Sequence, residues 1–162
     1  MKTSINFKAA KSDSEIHNFR KKSFDYIRKD LTHKNEYWME QKIADRLLKI
    51  EALCKEKSGR KLQKNAMPIR EAVVVIKENT TMQDLHNLSK RLEEELKIRV
   101  FQIAIHKDEG HYDKETNEWK PNYHAHLVAD WQDLETGKTL KHQSFHYSKM
   151  QDLAAECLEM ER

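Results

Sequence analysis

The pattern of apolar and polar positions predicts four helical stretches. Apolar residues recur every three or four positions in residues 36–57, 82–97 and 145–160, and more loosely in residues 15–29, which are also strongly basic. Gly59 follows residues 36–57 and is the residue type that commonly closes a helix in the left-handed conformation. Each stretch is therefore expected to lay one face on a core.

A second pattern, of short β-branched or alternating runs, predicts strands. Residues 71–77 (EAVVVIK) are expected to form a buried central strand, and residues 100–106 and 122–131 a pair of neighbouring strands. Residues 4–8 alternate like an edge strand, and the polar residues 111–120 indicate an exposed hairpin or lid. The order of elements predicts an α+β fold, a mainly antiparallel central β-sheet with helices packed on it.

Composition narrows the class of protein. The chain has 162 residues, 35% of them charged, and a formal net charge of +3, which permits nucleic-acid binding without requiring it. Two cysteines, far apart in sequence, give no disulfide framework. No signal peptide or membrane-spanning run is visible, so we expect a cytoplasmic protein. The helical pattern at the end has no stop signal, which predicts the N-terminal part of a longer protein.

Three histidines lie on the two predicted neighbouring strands. His124 and His126 share one face of their strand because alternate side chains point the same way, and His106 closes the other strand. If the strands pair, the three imidazoles form a metal site with positions left open for water or substrate, which is the catalytic pattern. The nearby Asp108 and Glu109 favour Mn²⁺ or Mg²⁺, whereas imidazole alone also suits Zn²⁺ or Ni²⁺.

Two motifs resemble those of a known enzyme family. The pattern H-N-x-R, which begins at His17, and the pattern H-x-D-E, which begins at His106 and precedes H-x-H, are similar to motifs of plasmid mobilization relaxases. The family is the MobV (Pre/Mob) type of the HUH endonuclease superfamily, and the resemblance runs from residue 7 to residue 146. The chain departs from the family in a polar insert within the metal motif and in Asn122–Tyr123 at a proline step. The insert resembles mobilization proteins of Bacteroides-type elements.

The resemblance implies both a fold and an activity. The fold would be HUH relaxase-like, with a ferredoxin/RRM-like core, and residues 1–162 would form one relaxase domain. Such an enzyme nicks one DNA strand at an origin of transfer and stays joined to the 5′ phosphate, with a divalent metal as Lewis acid. Its substrate would be single-stranded or supercoiled origin DNA, and its partners would include accessory mobilization proteins and a coupling protein.

The resemblance also implies residue roles. His17 would be the nucleophile, since a neutral imidazole can attack phosphorus. Glu109 would orient a ligand or act as general base. DNA contacts would come from the first motif and the basic residues after it, with Arg20 suited to bidentate phosphate binding. These contacts are Asn18, Arg20, Lys21 and Lys22; lesser candidates are Arg28, Arg60, Lys61 and Lys64, and Tyr112, Trp119 and Tyr123 could stack on bases.

Several alternatives stay open at this point. Tyr26 and then Tyr37 follow His17 as candidate nucleophiles. An HUH replication initiator or transposase would instead use a tyrosine on a late helix, for which Tyr147 is the candidate. A non-catalytic DNA-binding module would close its metal site with a fourth ligand from Asp108, Glu109 or His111. A hydrolase of small phosphoesters would cleave without attaching protein to DNA.

Overall fold

A five-stranded antiparallel sheet organises the protein. The computed structural model describes residues 1–21 and 26–162. The seven strands are β1 (Ile5–Ala9), β2 (Glu36–Met39), β3 (Ile69–Val75), β4 (Arg99–His106), β5 (Gly110–Tyr112), β6 (Trp119–Pro121) and β7 (His124–Asp130). The main sheet has the order β1-β3-β7-β4-β2, and β5 pairs with β6 in a separate hairpin. The site-bearing strand β7 therefore lies at the centre of the sheet.

The described residues also form four α-helices and one 3-10 helix. The α-helices are α1 (Ser14–Asn18), α2 (Ile43–Ser58), α3 (Met82–Leu96) and α4 (Ser144–Leu158), and the 3-10 helix is Lys29–Lys34. Thr81 begins α3 with a capping box in which its side chain accepts from the Asp84 backbone N–H. Within the described ranges, none of the helices combines the length and the apolar character needed to span a bilayer.

Helices α3 and α4 cover one face of the sheet. The main core forms where apolar side chains from the two helices meet alternate residues of the strands, as the period of two requires. Ala125, Leu127 and Ala129 of β7 all point into this core. The neighbouring residues of β7, which include His124 and His126, consequently face the other side of the sheet.

Helix α2 covers only one end of that second face. Its Ile50 packs with Ile69, Phe101 and Val128 in a smaller buried cluster. A register irregularity in β4 between Val100 and Gln102 accompanies this contact. The other end of the face, where β4 ends and β7 begins, is left for the histidines.

The predicted fold class is confirmed, and so are most of its elements. The strands predicted at residues 71–77, 100–106 and 122–131 correspond to β3, β4 and β7, and the last two pair as expected. The helices at 82–97 and 145–160 correspond to α3 and α4. The predicted hairpin is the β5–β6 pair. Gly59 closes α2 with a φ of 72°, as its position indicated.

Two helix predictions were wrong in their extent. Residues 36–57 begin with the edge strand β2 and become helical only at Ile43, because Trp38 belongs to a strand that pairs with β4 and packs on the core. The apolar spacing happened to continue across this boundary. Of residues 15–29, only the part up to Asn18 lies in an α-helix within the described ranges, and the positive φ of 55° at Arg20 follows its end.

Candidate metal centre

The three histidines of the sheet meet on its partly open face. His106 is the last residue of β4 and lies directly opposite His124, the first residue of β7. His126 lies two residues further along β7, on the same face. The ring centroid of His106 is 5.1 Å from that of His124 and 4.6 Å from that of His126. Pairing of β4 with β7 is thus what brings the predicted ligands together.

Each of the three imidazoles has one nitrogen that points away from the cluster, called here the outer nitrogen, and one that points into it, called the inner nitrogen. Each outer nitrogen has a hydrogen-bond acceptor. Carbonyl and carboxylate oxygens only accept, so these contacts assign a proton to the outer nitrogen and leave the lone pair of a neutral ring on the inner one. The pairs are His106 Nε2 with the Asn18 carbonyl (2.7 Å), His124 Nδ1 with the Asn122 carbonyl (2.8 Å) and His126 Nδ1 with Glu71 Oε1 (2.7 Å).

The inner nitrogens converge with the carboxylate of Glu109. Nδ1 of His106 and Nε2 of His124 are 3.3 Å apart, and each lies 3.0 Å from Oε2 of Glu109. Nε2 of His126 is buried and has no hydrogen-bond partner among the described residues. Lone pairs and a carboxylate held this close repel one another unless a cation or a proton lies among them. The donor set therefore fits a divalent metal.

The pKa shifts of His126 and Glu109 favour the protonation states that bind a metal, a neutral imidazole and an ionised carboxylate. Burial lowers the pKa of His126 to about 4, although Glu71 opposes the shift, so the ring is neutral at pH 7. Burial alone would raise the pKa of Glu109, but its contacts with His106, His124 and Arg20 hold it well below its usual range. Oε2 of Glu109 lies 3.0 Å from both imidazoles and 2.7 Å from Arg20, a position that favours an orienting group or ligand over a general base.

Arg20 ties the first motif to the metal motif. Its Nε and Nη2 donate to the Asp108 carboxylate at 3.0 and 2.7 Å, and Nη2 also donates to Glu109 Oε2 at 2.7 Å. Thr32 Oγ1 donates to the same Asp108 carboxylate at 2.9 Å. The Arg20 side chain is 7% exposed and that of Asp108 is fully buried. The guanidinium consequently holds Glu109 beside the histidines.

Helix α1 is fixed over the sheet by three of its side chains. Ser14 Oγ and Asn18 Nδ2 donate to the Glu71 carboxylate at 2.7 and 3.0 Å, and Glu15 Oε1 accepts from Gln102 Nε2 at 2.8 Å. Glu71 lies on β3 and Gln102 on β4, so the short helix bridges two strands. This attachment places the intervening His17 above the cluster.

His17 lies within reach of the same centre. Its ring centroid is 5.9 Å from that of His106 and 5.7 Å from that of His126, and its Nδ1 is 3.3 Å from the hydroxyl of Tyr26. Donor atoms of His17, His106, Glu109 and His126 all lie within 4.8 Å of one another. Burial lowers the pKa of His17, so its ring is neutral at pH 7. The same imidazole can therefore ligate a cation or attack an electrophile beside it.

The residues predicted to contact DNA differ in their exposure to solvent. Asn18 is 1% exposed and holds Glu71 and His106, and the Arg20 guanidinium is engaged by two carboxylates. The Asn18 side-chain amide nitrogen and the Arg20 guanidinium are thus bound to carboxylates inside the protein, and direct DNA contact by either residue stays a prediction. Lys21 is exposed. Lys22 lies outside the described residues.

The alternative tyrosines differ in their distance from the centre. Tyr26 contacts His17, as described above. The Tyr37 hydroxyl accepts from Asn35 Nδ2 at 3.2 Å, and its ring stacks on Phe19. Tyr147 stacks on the buried Trp131, with ring centroids 6.3 Å apart, on the face of the sheet that α4 covers. The position of Tyr147 is unfavourable for the replication-initiator or transposase alternative.

The remaining aromatic and basic candidates lie in different parts of the structure. Trp119 packs edge-on against Tyr112 at 5.0 Å, and Arg28 Cζ lies 5.2 Å from its ring centroid. Tyr123 packs against the main core. The exposed basic residues of the loop after α2 are Arg60, Lys61 and Lys64.

The residues that hold the three histidines in place were not identified from the sequence. Glu71 was assigned to a buried strand with no further role, yet it receives hydrogen bonds from His126, Ser14 and Asn18. A carboxylate opening an otherwise apolar strand was the signal available. The contribution of the Asn18 and Asn122 carbonyl oxygens had no sequence signal, because any residue type supplies a carbonyl.

Comparison with known proteins finds the fold in solved structures only. No family model matches this chain, and no curated protein matches it. Crystal structures of the MobM relaxase domain (MOBV; Mob_Pre) with manganese and oriT DNA of plasmid pMV158 match with a TM-score of 0.70 and 14% identity. The match covers 100% of this chain and 90% of that domain. A further MobM complex with a 23-nucleotide DNA has a TM-score of 0.65 and 12% identity.

These matches agree with the resemblance seen in the motifs. The matching domains are MOBV relaxase domains, the type to which the motifs at His17 and His106 are similar. The alignment spans the whole chain, including the sheet that carries the histidines. The protein thus has the fold of a MobV-type relaxase domain.

Proposed function

We propose that this chain is a relaxase domain that nicks and rejoins one DNA strand at an origin of transfer during plasmid or mobilizable-element mobilization. One observation carries the proposal: the inner nitrogens of His106, His124 and His126 converge with Glu109, and His17 lies directly beside them. The fold shared with manganese-containing, oriT-bound MobM domains supports the same function. Lys21, exposed next to the first motif, is the described lysine we propose as a DNA contact.

His106, His124 and His126 would hold a divalent metal, with Mn²⁺ or Mg²⁺ favoured by the adjacent carboxylate. A bound metal supplies Lewis-acid stabilisation of negative charge on the scissile phosphate. The protein's part is to orient the ligands, and each outer nitrogen is held for this purpose by a carbonyl or by Glu71.

His17 would act as the nucleophile through its second ring nitrogen, Nε2, while Nδ1 faces the hydroxyl of Tyr26. The lone pair of the neutral ring forms an N–P bond as the P–O3′ bond breaks. The departing 3′ oxygen takes up a proton, and the imidazole gives up its own proton to solvent, so charge and atoms balance. The product is a 5′ phosphoramidate on His17, and attack by a 3′ hydroxyl reverses the step.

The proposal also covers the extent of the domain, its partners and its location in the cell. Residues 1–162 would form one relaxase domain whose partner is origin-of-transfer DNA. Accessory mobilization proteins and a coupling protein would join it in the cytoplasm.

A non-catalytic metal-containing DNA-binding module is the second candidate. Glu109 lies 3.0 Å from two of the imidazoles and is positioned to supply the fourth ligand of a closed site. Such a module would bind metal and DNA without cutting. A small-phosphoester hydrolase would cut but leave no protein on the product.

A nicking assay separates these candidates. Supercoiled plasmid carrying the DNA that flanks the protein's own coding sequence is incubated with the protein and Mn²⁺, with and without chelator. We expect chelator-sensitive relaxation and protein joined to the 5′ end of the nicked strand. Tight DNA and metal binding with no nick would favour the module, and nicks with free 5′ phosphates would favour a hydrolase.

Exchange of Glu71 for glutamine is expected to weaken Mn²⁺ binding by about 10- to 100-fold, as the loss of a ligand's supporting partner usually does. The reason is that Glu71 fixes the ring of His126 and anchors both Ser14 and Asn18 of α1. Titration calorimetry measures the affinity directly. Glu78, an exposed carboxylate on the turn after β3, supplies the matched control Glu78→Gln, which should bind Mn²⁺ normally. Equal affinities for the two variants would contradict the role assigned to Glu71.

A further inference from the structure

The β5–β6 hairpin is joined to the metal centre at both of its ends. Gly110 begins β5 directly after Glu109, and the backbone N–H of Asn122, just after β6, donates to the Glu109 carbonyl at 2.9 Å. The carbonyl of the same Asn122 accepts from His124. An isolated bridge pairs Ile27 with Glu109 on the other side. The base of the hairpin is thus a fixed wall of the site.

A surface pocket lies between this wall and Tyr26. Its volume is about 510 Å³, within the range of roughly 300–1,000 Å³ usual for small-molecule sites. The ring of Tyr26 is 45% exposed, and its hydroxyl is 3.3 Å from Nδ1 of His17. The lining residues are Tyr26, Glu109, Gly110, His111, Pro121 and Asn122.

The shape of this wall depends on Gly110. A Cβ atom there would lie 2.3 Å from the carbonyl oxygen of Lys120 and 2.8 Å from the ring of Trp119. Glycine at this position therefore lets β5 approach β6 closely at the base of the hairpin. Trp119 itself is braced by Arg28 and Tyr112, so the hairpin base is supported from behind.

The lining of the pocket suits a nucleobase better than a phosphate. The described residues that line it include no lysine or arginine, the side chains that most often bind phosphate. The ring of Tyr26 is partly exposed, and bases of any kind stack on exposed aromatic rings. His111 and Asn122 are exposed and present polar groups that can hydrogen-bond base edges.

We propose that this pocket binds the base of the nucleotide adjoining the scissile phosphate, with Tyr26 as the stacking platform. The inference rests on the proposed function, because the phosphate attacked by His17 places its neighbouring nucleotide beside Tyr26. Tyr26 then positions the substrate, and it is not the group that attacks phosphorus.

The test is a thermodynamic cycle on a short substrate. The nick is first mapped on the plasmid described above, and a fluorescent single strand of about 25 nucleotides spanning it is made with and without an abasic site beside the nick. Binding of the parent protein and of Tyr26→Ala to both strands is measured by anisotropy. Tyr26→Ala should weaken binding to the intact strand about 10-fold and binding to the abasic strand hardly at all.

Two further variants serve as controls. Tyr26→Phe keeps the ring and should bind like the parent, and Tyr147→Ala removes a similarly exposed tyrosine from the opposite face. The base subsite would be overturned if Tyr26→Ala lost the same affinity for the intact and abasic strands, or if Tyr26→Phe lost as much affinity as Tyr26→Ala. The relaxase function would still hold in either case, provided that the parent protein nicks normally. Absence of any nick by the parent would overturn the function itself and the subsite with it.

Discussion

Replacement of His17 by alanine is expected to abolish the covalent attachment of protein to DNA and to lower the nicking rate by more than about a thousandfold, as removal of a nucleophile does in other enzymes. His17 sits 5.7 to 5.9 Å, ring to ring, from His126 and His106. Its neutral ring makes it nucleophilic without prior loss of a proton. The measurement is the yield of protein-linked 5′ ends on denaturing gels.

The bond itself reports which residue attacked. A phosphoramidate on histidine is cleaved by mild acid, whereas a phosphodiester on tyrosine survives it. We expect acid-labile attachment in the parent and in Tyr26→Phe. An acid-stable linkage, or attachment that persists in His17→Ala, would transfer the nucleophile to a tyrosine.

The position of His17 would also allow it to serve as a metal ligand, since its donor atom lies within 4.8 Å of those of His106, Glu109 and His126. A nucleophile can be removed without loss of the metal. We therefore expect His17→Ala to bind Mn²⁺ within about twofold of the parent in calorimetry. A loss of affinity as large as in His126→Ala would assign His17 to the metal.

Removal of the Asp108 carboxylate is expected to cost about 3–5 kcal/mol of the free energy of unfolding, the usual effect of breaking a buried ion pair. Asp108→Ala leaves the guanidinium of Arg20 buried with one carboxylate where it had two, and leaves Thr32 Oγ1 without its acceptor. For a chain of this size the melting temperature should fall by about 10 °C. Chemical and thermal unfolding followed by circular dichroism measure both quantities.

Asp30 provides the matched control for this experiment. It also forms an ion pair with an arginine, Arg28, but its side chain is 61% exposed. Exposed pairs contribute little to stability, because solvent screens them, so Asp30→Ala should leave the free energy of unfolding nearly unchanged. A similar small effect for Asp108→Ala would show that the Arg20 network does not stabilise the fold.

The convergence of the three histidines was predictable because it follows from local rules. A period of two places His124 and His126 on one face, and the apolar runs on either side of the insert mark two strands that can pair. These are short-range features of the sequence. The same rules failed at residues 36–57, where Trp38 fits a helical spacing although it lies on the edge strand β2.

The supporting contacts were not predictable because they join distant parts of the chain. Glu71 reaches His126 across 55 positions, and Arg20 reaches Asp108 across 88. The charge of Arg20 was taken to mean phosphate binding, whereas burial directs it to carboxylates. Pattern rules assign a residue to a face, but its partner across the sheet depends on how the strands are ordered.

The β5–β6 hairpin is closed at its base, so its length can vary without moving the strands on either side. The hydrogen bond from the Asn122 N–H to the Glu109 carbonyl brings the two ends of the insert together before the chain enters β7. The alignment of His106 with His124 is therefore independent of how many residues intervene, because it is fixed by the β4–β7 ladder. We therefore expect the tip of the hairpin, from Asp113 to Glu118, to accept an inserted peptide or a whole domain without displacement of the three histidines.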